Sequence, residues 1–178
     1  MRPIRISRPS PSSLRVRQTT PNKDSLMTDI IRAAISDTDD IAPLFDAYRQ
    51  FYDQPSDLRL AREFIETRLK KDEAVIFLAR ENNGAAVGFT LLYPTFCSVA
   101  AAPVFVLYDL FVTPTARRNG IAAQLIQTAQ SYAAARGAAW LKLETAHTNQ
   151  PGQALYEKLG WERDDEFYTY YFTLDAEQ

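Results

Sequence analysis

The chain has 178 residues, 46% of them hydrophobic and 24% charged, enough for one domain with a real core. No apolar run approaches the ~18 residues of a membrane-crossing helix; the single Cys97 excludes an internal disulfide, and a lone His147 argues against a zinc site. Residues 1–26 carry six Lys/Arg against one acid and residues 27–178 carry 14 against 21, so the body is acidic, which disfavours nucleic acid and suits a cationic substrate.

Residues 1–26 are rich in Arg, Ser and Pro and poor in large apolar side chains, so they read as a disordered basic extension. An organelle transit leader is the other reading, against which the prolines count. Met27 directly precedes the folded pattern and is a candidate start. The default setting for a metal-free, disulfide-free body over residues 27–178 is the cytoplasm.

Asp29–Ala34 reads as a first strand. Ser36, Asp37, Thr38 and Asp39 offer cap chemistry for a helix to about Phe51, with Ile41, Leu44, Phe45 and Tyr48 at helical spacing. Asp57 caps a second helix to about Lys71. Ala74–Arg80 and Ala86–Tyr93 are strands joined by Glu81-Asn82-Asn83-Gly84, a hairpin signal. Residues 96–102 read as a loop or strand extension, and Val104–Val112 as the fourth strand. A long helix runs from about Gly120 to Arg136 and ends at Gly137. Ala139–Thr145 is a fifth strand, Pro151 opens a short helix stopped by Gly160, and Trp161–Arg163 and Phe167–Leu174 are two closing strands. The expected order is βααβββαβαββ, an α/β fold.

The most informative stretch is VLYDLFVTPTARRNGIA, residues 106–122. An apolar strand enters a Pro turn, then Arg117-Arg118-Asn119-Gly120-Ile121-Ala122, then the long helix. A small-residue loop opening a helix gathers unpaired amides and the positive end of the helix dipole, a site for pyrophosphate. Gly120 would let a phosphate approach the backbone. A second motif lies about 30 residues downstream, from Asn149 through Gly152, Leu155 and Tyr156 to Gly160 and Trp161.

Together the two motifs resemble the GCN5-related N-acetyltransferase (GNAT) superfamily over roughly residues 28–174. The first matches at Arg117, Gly120 and Ala122, and the second at Asn149, Leu155, Tyr156 and Gly160, with Trp161 as its aromatic. The resemblance implies a mixed central sheet of about seven strands whose fourth and fifth members splay apart. It implies acetyl-CoA as co-substrate, its pyrophosphate on the backbone of Arg117, Arg118, Asn119, Gly120, Ile121 and Ala122. Its pantetheine arm would pair with Leu110, Phe111 and Val112, an amide near Leu110 would face the thioester oxygen, and Asn149 would bond the arm or hold the splayed strand end. Tyr156 would be the general acid.

The general base stays open. Some polyamine-acetylating relatives carry a Glu two residues before the triplet Leu110-Phe111-Val112; here Tyr108 stands there, a poor base at neutral pH. Asp109 is adjacent but expected on the opposite strand face. Glu144 at the end of the fifth strand, His147 just after it and a water relay to a more distant carboxylate are the other candidates. The acceptor pocket of the fold lies between the first two helices and the turn joining the last two strands. That sets Tyr48, Phe51, Tyr52, Asp53 and Gln54 against Asp164, Asp165 and Glu166, a pairing of aromatics and carboxylates suited to an ammonium. The implied activity is acetyl transfer from acetyl-CoA to a primary amine, a small cationic one favoured, by direct attack in a ternary complex. No Cys or Ser sits in an activated-nucleophile context. The alternatives are an acyl-CoA-binding sensor without catalysis and a protein-lysine acetyltransferase. A homodimer through the closing strands is left open; neither membrane nor metal is expected.

Overall fold

In the computed structural model, the residues described are 28–174; the basic extension lies outside them. Strand β2 (Val75–Glu81) sets the layering, because its first five residues are buried on both faces. Val75, Phe77 and Ala79 pack to one side and Ile76 and Leu78 to the other. The first face is covered by helix α3 (Ile121–Ala135), through Ile121, Leu125, Ile126, Ala129 and Ala133. The second is covered by α1 (Thr38–Phe51) and α2 (Leu58–Lys70), through Ile41, Leu44, Phe45, Ala61 and Ile65. Asp57 caps α2 as its position suggests, its carboxylate accepting from the Leu60 amide at 2.9 Å.

The remaining elements are β1 (Thr28–Arg32), β3 (Ala86–Cys97), β4 (Ala102–Val112), β5 (Leu141–Lys142) and α4 (Gln150–Lys158). The sheet runs β1-β2-β3-β4-β5. Its pairs are antiparallel except β4–β5, which α3 crosses over to make parallel. Among the described residues no helix is long and apolar enough to cross a membrane.

Residues 96–102 are both strand extension and loop: β3 and β4 extend through 97 and from 102, and a tight turn at 98–101, in which Ala101 takes a φ of 48°, joins them. Two features differ from the expected pattern. Strand β5 is two residues, not seven. Residues 161–174 form no strand, so the described sheet has five strands rather than about seven. Their alternating aromatics carry β propensity, but propensity needs a paired edge and a covered face to act. Phe167, Tyr168, Tyr170, Tyr171, Phe172 and Leu174 have neither and are between 65% and 89% exposed.

Two irregularities of β4 shape the space beside it. It pairs with β5 only at Phe105↔Leu141 and Val106↔Lys142, and beyond Val106 the two strands part. On its other side, Leu107 pairs with Leu92 and Asp109 with Leu91, so Tyr108 is an extra residue, a β-bulge. The bulge shifts the alternation. Phe105 and Leu107 face α3, but so do Leu110 and Val112, while Phe111 joins the α1/α2 side. Thr90, fully buried on β3, donates its hydroxyl to the Asp109 carbonyl at 2.9 Å, satisfying a backbone acceptor beside the irregularity.

Leu125 is fully buried at the centre of the α3 interface. Leu125→Ala should destabilise the fold by about 2–5 kcal/mol, read as a lowered denaturation midpoint at unchanged slope in a urea titration.

Candidate active site

Where β4 and β5 part, a cleft of about 700 Å³ opens. At one end stands the loop into α3. Ala116 is buried and anchors it, and Arg118 and Gly120 both take left-handed backbone, with φ of 67° and 80°. A Cβ on Gly120 would meet no protein atom within 4 Å, so within the protein the glycine answers to backbone angle rather than to crowding. Gly120 is the N-cap of α3 and no side chain caps the helix. The first amides of the helix, at Ile121, Ala122 and Ala123, therefore lack an intrahelical acceptor and belong to residues lining the cleft. Arg117 and Arg118 line it too. Arg117 also braces the loop, its Nε donating to the Val112 carbonyl at 3.0 Å and its guanidinium lying 6.0 Å from the Phe111 ring centroid. Asn119 is exposed, donates to the Ala116 carbonyl at 3.4 Å, and is not part of the lining.

The long walls are Leu110, Phe111 and Val112 on one side and Leu143, Glu144 and Thr145 on the other. Helix α4 closes the cleft with Asn149, Gly152, Leu155 and Tyr156. Asn149 accepts from the Gly152 amide at 3.2 Å and donates to the Thr145 hydroxyl at 3.0 Å. It both caps the helix and ties it to the end of the parted strand. Tyr156 is half-buried, and burial, with the nearby Tyr52, pushes its hydroxyl pKa above the usual value. At neutral pH it keeps its proton.

The opposite end is aromatic. Tyr48 and Phe51 come from the last turn of α1, Tyr52 from the C-cap that follows it, and Tyr108 from the bulge of β4. Tyr108 packs edge-on against Tyr93 with centroids 5.2 Å apart. Beneath Tyr48 lies Asp109, 5% exposed. Burial raises its pKa to about 6, although the Tyr48 hydroxyl, which donates to it, favours the charged form. Simple alternation puts Asp109 across the strand from Tyr108; the bulge instead leaves both beside Tyr93 on the α1/α2 side. The signal for this site was a single acid in the apolar strand VFVLYDLFV.

A second buried acid holds this end in place. Asp46 accepts from the Asp57 amide at 2.8 Å, the Ser56 hydroxyl at 2.7 Å and Gln50 Nε2 at 2.9 Å. Burial pushes its pKa up, but these bonds and the charge of Arg49 more than offset that and hold it below the usual value. The loop from Tyr52 to Asp57, including Asp53 at a φ of 60°, is thereby pinned to α1.

Other candidate residues stand elsewhere. Gln54 and His147 are exposed and outside the lining; the His147 carbonyl accepts from Gln150 and Gln153. Asp164 and Asp165 are also outside it. Asp164 accepts from the Glu166 and Phe167 amides, and Asp165 pairs with Arg163 at 3.0 Å. The acidic turn spends its charge locally because no closing strands carry it to the cleft. Glu144 does line the cleft and accepts from the Tyr171 hydroxyl at 2.8 Å.

The profile of the Acetyltransferase (GNAT) family matches residues 39–161. The chain belongs to that family. It is 46% identical over 147 residues to an uncharacterized N-acetyltransferase, YhfO, of Bacillus subtilis, covering 83% of this chain and 98% of the relative. A crystal structure of a probable acetyltransferase superposes with a TM-score of 0.79 at 35% identity, covering 84% of this chain and 99% of that one. An aminoglycoside N(6')-acetyltransferase type 1 of Salmonella typhimurium is 29% identical over 114 residues, 62% of this chain and 77% of the relative. The protein is thus an acyltransferase of the GNAT type, and acetyl-CoA is the acyl donor of such enzymes. The open amides of α3 and the two arginines fit the anionic end of that donor.

Gly120→Asp would set a carboxylate among those amides. It should weaken acetyl-CoA binding by at least about 10-fold, measured by calorimetric titration; unchanged affinity would remove the loop from the donor site.

Proposed function

We propose that the protein transfers the acetyl group of acetyl-CoA to a primary amine by direct attack within a ternary complex. The observation that carries this reading is the pairing of two titratable groups at and just behind one cleft. Asp109, buried behind the lining residue Tyr48, has its pKa raised to about 6, and Tyr156 stays protonated on the α4 wall. Two groups whose environments fit them for opposite proton transfers are what an acyl transfer between amine and thiol requires.

Acetyl-CoA supplies a thioester and a thiol leaving group. The amides of Ile121, Ala122 and Ala123, with Arg117 and Arg118, hold the anionic end of the donor. The exposed edge of β4 at Leu110, Phe111 and Val112 holds its amide-rich arm, in the way an added strand pairs with a sheet. An amide near Leu110 donates to the carbonyl oxygen as charge develops there. The acceptor ammonium first gives up one proton to solvent, and Asp109 accepts, through a water, the second proton that the amine loses as it attacks. As the new C–N bond forms and the C–S bond breaks, the Tyr156 hydroxyl donates a proton to the sulfur. Solvent exchange then returns a proton from Asp109 to Tyr156, so both residues end as they began. Asn149 keeps α4, and with it Tyr156, at a fixed distance from the parted strand.

Tyr156→Phe should lower turnover by about 10²-fold, at the low end of what a positioned acid contributes, while acetyl-CoA affinity holds. Steady-state rates beside calorimetry test this, and equal turnover would leave Tyr156 a packing residue.

Asp109 must be deprotonated to act, so kcat/KM should rise as pH increases through about 6. Asp109→Asn should lower kcat/KM and abolish that limb of the pH profile. Retention of the limb in the variant would assign the base elsewhere.

A further inference from the structure

From the composition of the aromatic end, and resting on the acetyltransferase reading above, we infer that the acceptor is a compact amine carrying one ammonium on an apolar or aromatic body, not a polycation.

The rings at this end are held rather than loose. Tyr48 and Tyr52 meet edge-on with centroids 5.1 Å apart, and Phe51 and Tyr52 do so at 5.3 Å. They nevertheless present open surface to the cleft: Phe51 and Tyr108 are 65% exposed and Tyr52 is 53% exposed. Large rings left open at a cleft mouth, Phe51 and Tyr52 beside a loop pinned by a buried carboxylate and Tyr108 backed by Tyr93, make a preformed apolar surface. Ring faces attract a cation without requiring a counter-charge, and they favour a flat or apolar body behind it.

Negative charge at the cleft is scarce. Among the described lining residues Glu144 is the only acid, and it already accepts from Tyr171. Asp109 lies behind Tyr48, 5% exposed and outside the lining, and already accepts from the Tyr48 hydroxyl. The acidic turn at 164–166 stands away with its own partners. At the far end the lining is cationic, Arg117 and Arg118. One ammonium can be accommodated on the open ring faces, with the buried Asp109 behind Tyr48 as the nearest uncompensated carboxylate. A second and third ammonium entering the same space would shed water against phenol rings with no carboxylate to receive them. The acidic net charge of the body acts only at long range and is screened within about 8 Å at physiological salt, so it does not supply the missing contacts.

The test uses the full chain at saturating acetyl-CoA, with CoA release followed for phenethylamine, spermidine, kanamycin A and a lysine-containing peptide. We expect kcat/KM for phenethylamine to exceed that for either polycation by at least about 10-fold, the cost of one ammonium desolvated without a partner. Tyr108→Ala should raise the phenethylamine KM about 5-fold or more with the acetyl-CoA KM unchanged, and Tyr108→Phe, which keeps the ring, should restore it. A polycation or the peptide used as well as phenethylamine overturns the inference while leaving the acetyltransferase reading intact. So does a phenethylamine KM that ignores loss of the Tyr108 ring. No turnover of any of the four, with acetyl-CoA bound normally, overturns both.

Discussion

A β-strand that loses its neighbour partway along carries a row of backbone donors and acceptors with nothing to bond. Strand β4 is in that position beyond Val106, where β5 turns away after two paired residues. In a packed interior such an edge is costly. Here it becomes the wall of a cleft, and the arrangement around it keeps the gap open. Asn149 joins α4 to Thr145 on the departing side. Arg117 joins the α3 loop to Val112 on the remaining side. Neither contact is large, but each fixes one bank relative to a helix that is itself held by the core or by a cap. The opening is thus a consequence of sheet topology, and its chemistry is set by what an unpaired edge accepts.

The aromatic end obeys a different constraint. Asp46 takes three hydrogen bonds from the segment after α1 and the last turn of α1 itself, while lying almost fully out of water. A buried carboxylate is tolerable when its acceptor capacity is filled, and filling it forces the backbone to return along α1. The aromatic side chains of that turn are presented outward because the chain beneath them has no freedom to fold over them.

Much of this was legible in the sequence. The apolar runs of β2 and β4, the cap at Asp57 and the glycine opening α3 each depend on local chemistry, and each stands where its residues suggested. The elements that did not follow were those needing a distant partner. Leu141–Lys142 is all that remains of a seven-residue strand, since pairing depends on a neighbour that diverges. The aromatic alternation of 167–174 predicts strand, yet no edge in the described sheet receives it. The acid at 109 was visible, but its direction was not: a strand's face is counted by twos, and a bulge adds one to the count without altering any residue type.

That extra residue has a consequence for how this stretch can change. Leu107 and Val112 both face α3, although the number of steps between them is odd and a regular strand would set them on opposite faces. Tyr108 is the half-step that reconciles them. A chain shortened by that one residue would run as a regular strand with Leu107, Leu110 and Val112 still turned to α3 and Asp109 still turned away from it. The core would survive such a deletion, and the loss would fall on the aromatic end alone. Lengthening has no such outlet, since one more residue would need a second bulge or would turn Leu110 and Val112 out of the α3 interface. Along this strand the cleft and the core therefore differ in what they demand: the cleft needs the surplus residue, and the core merely tolerates it.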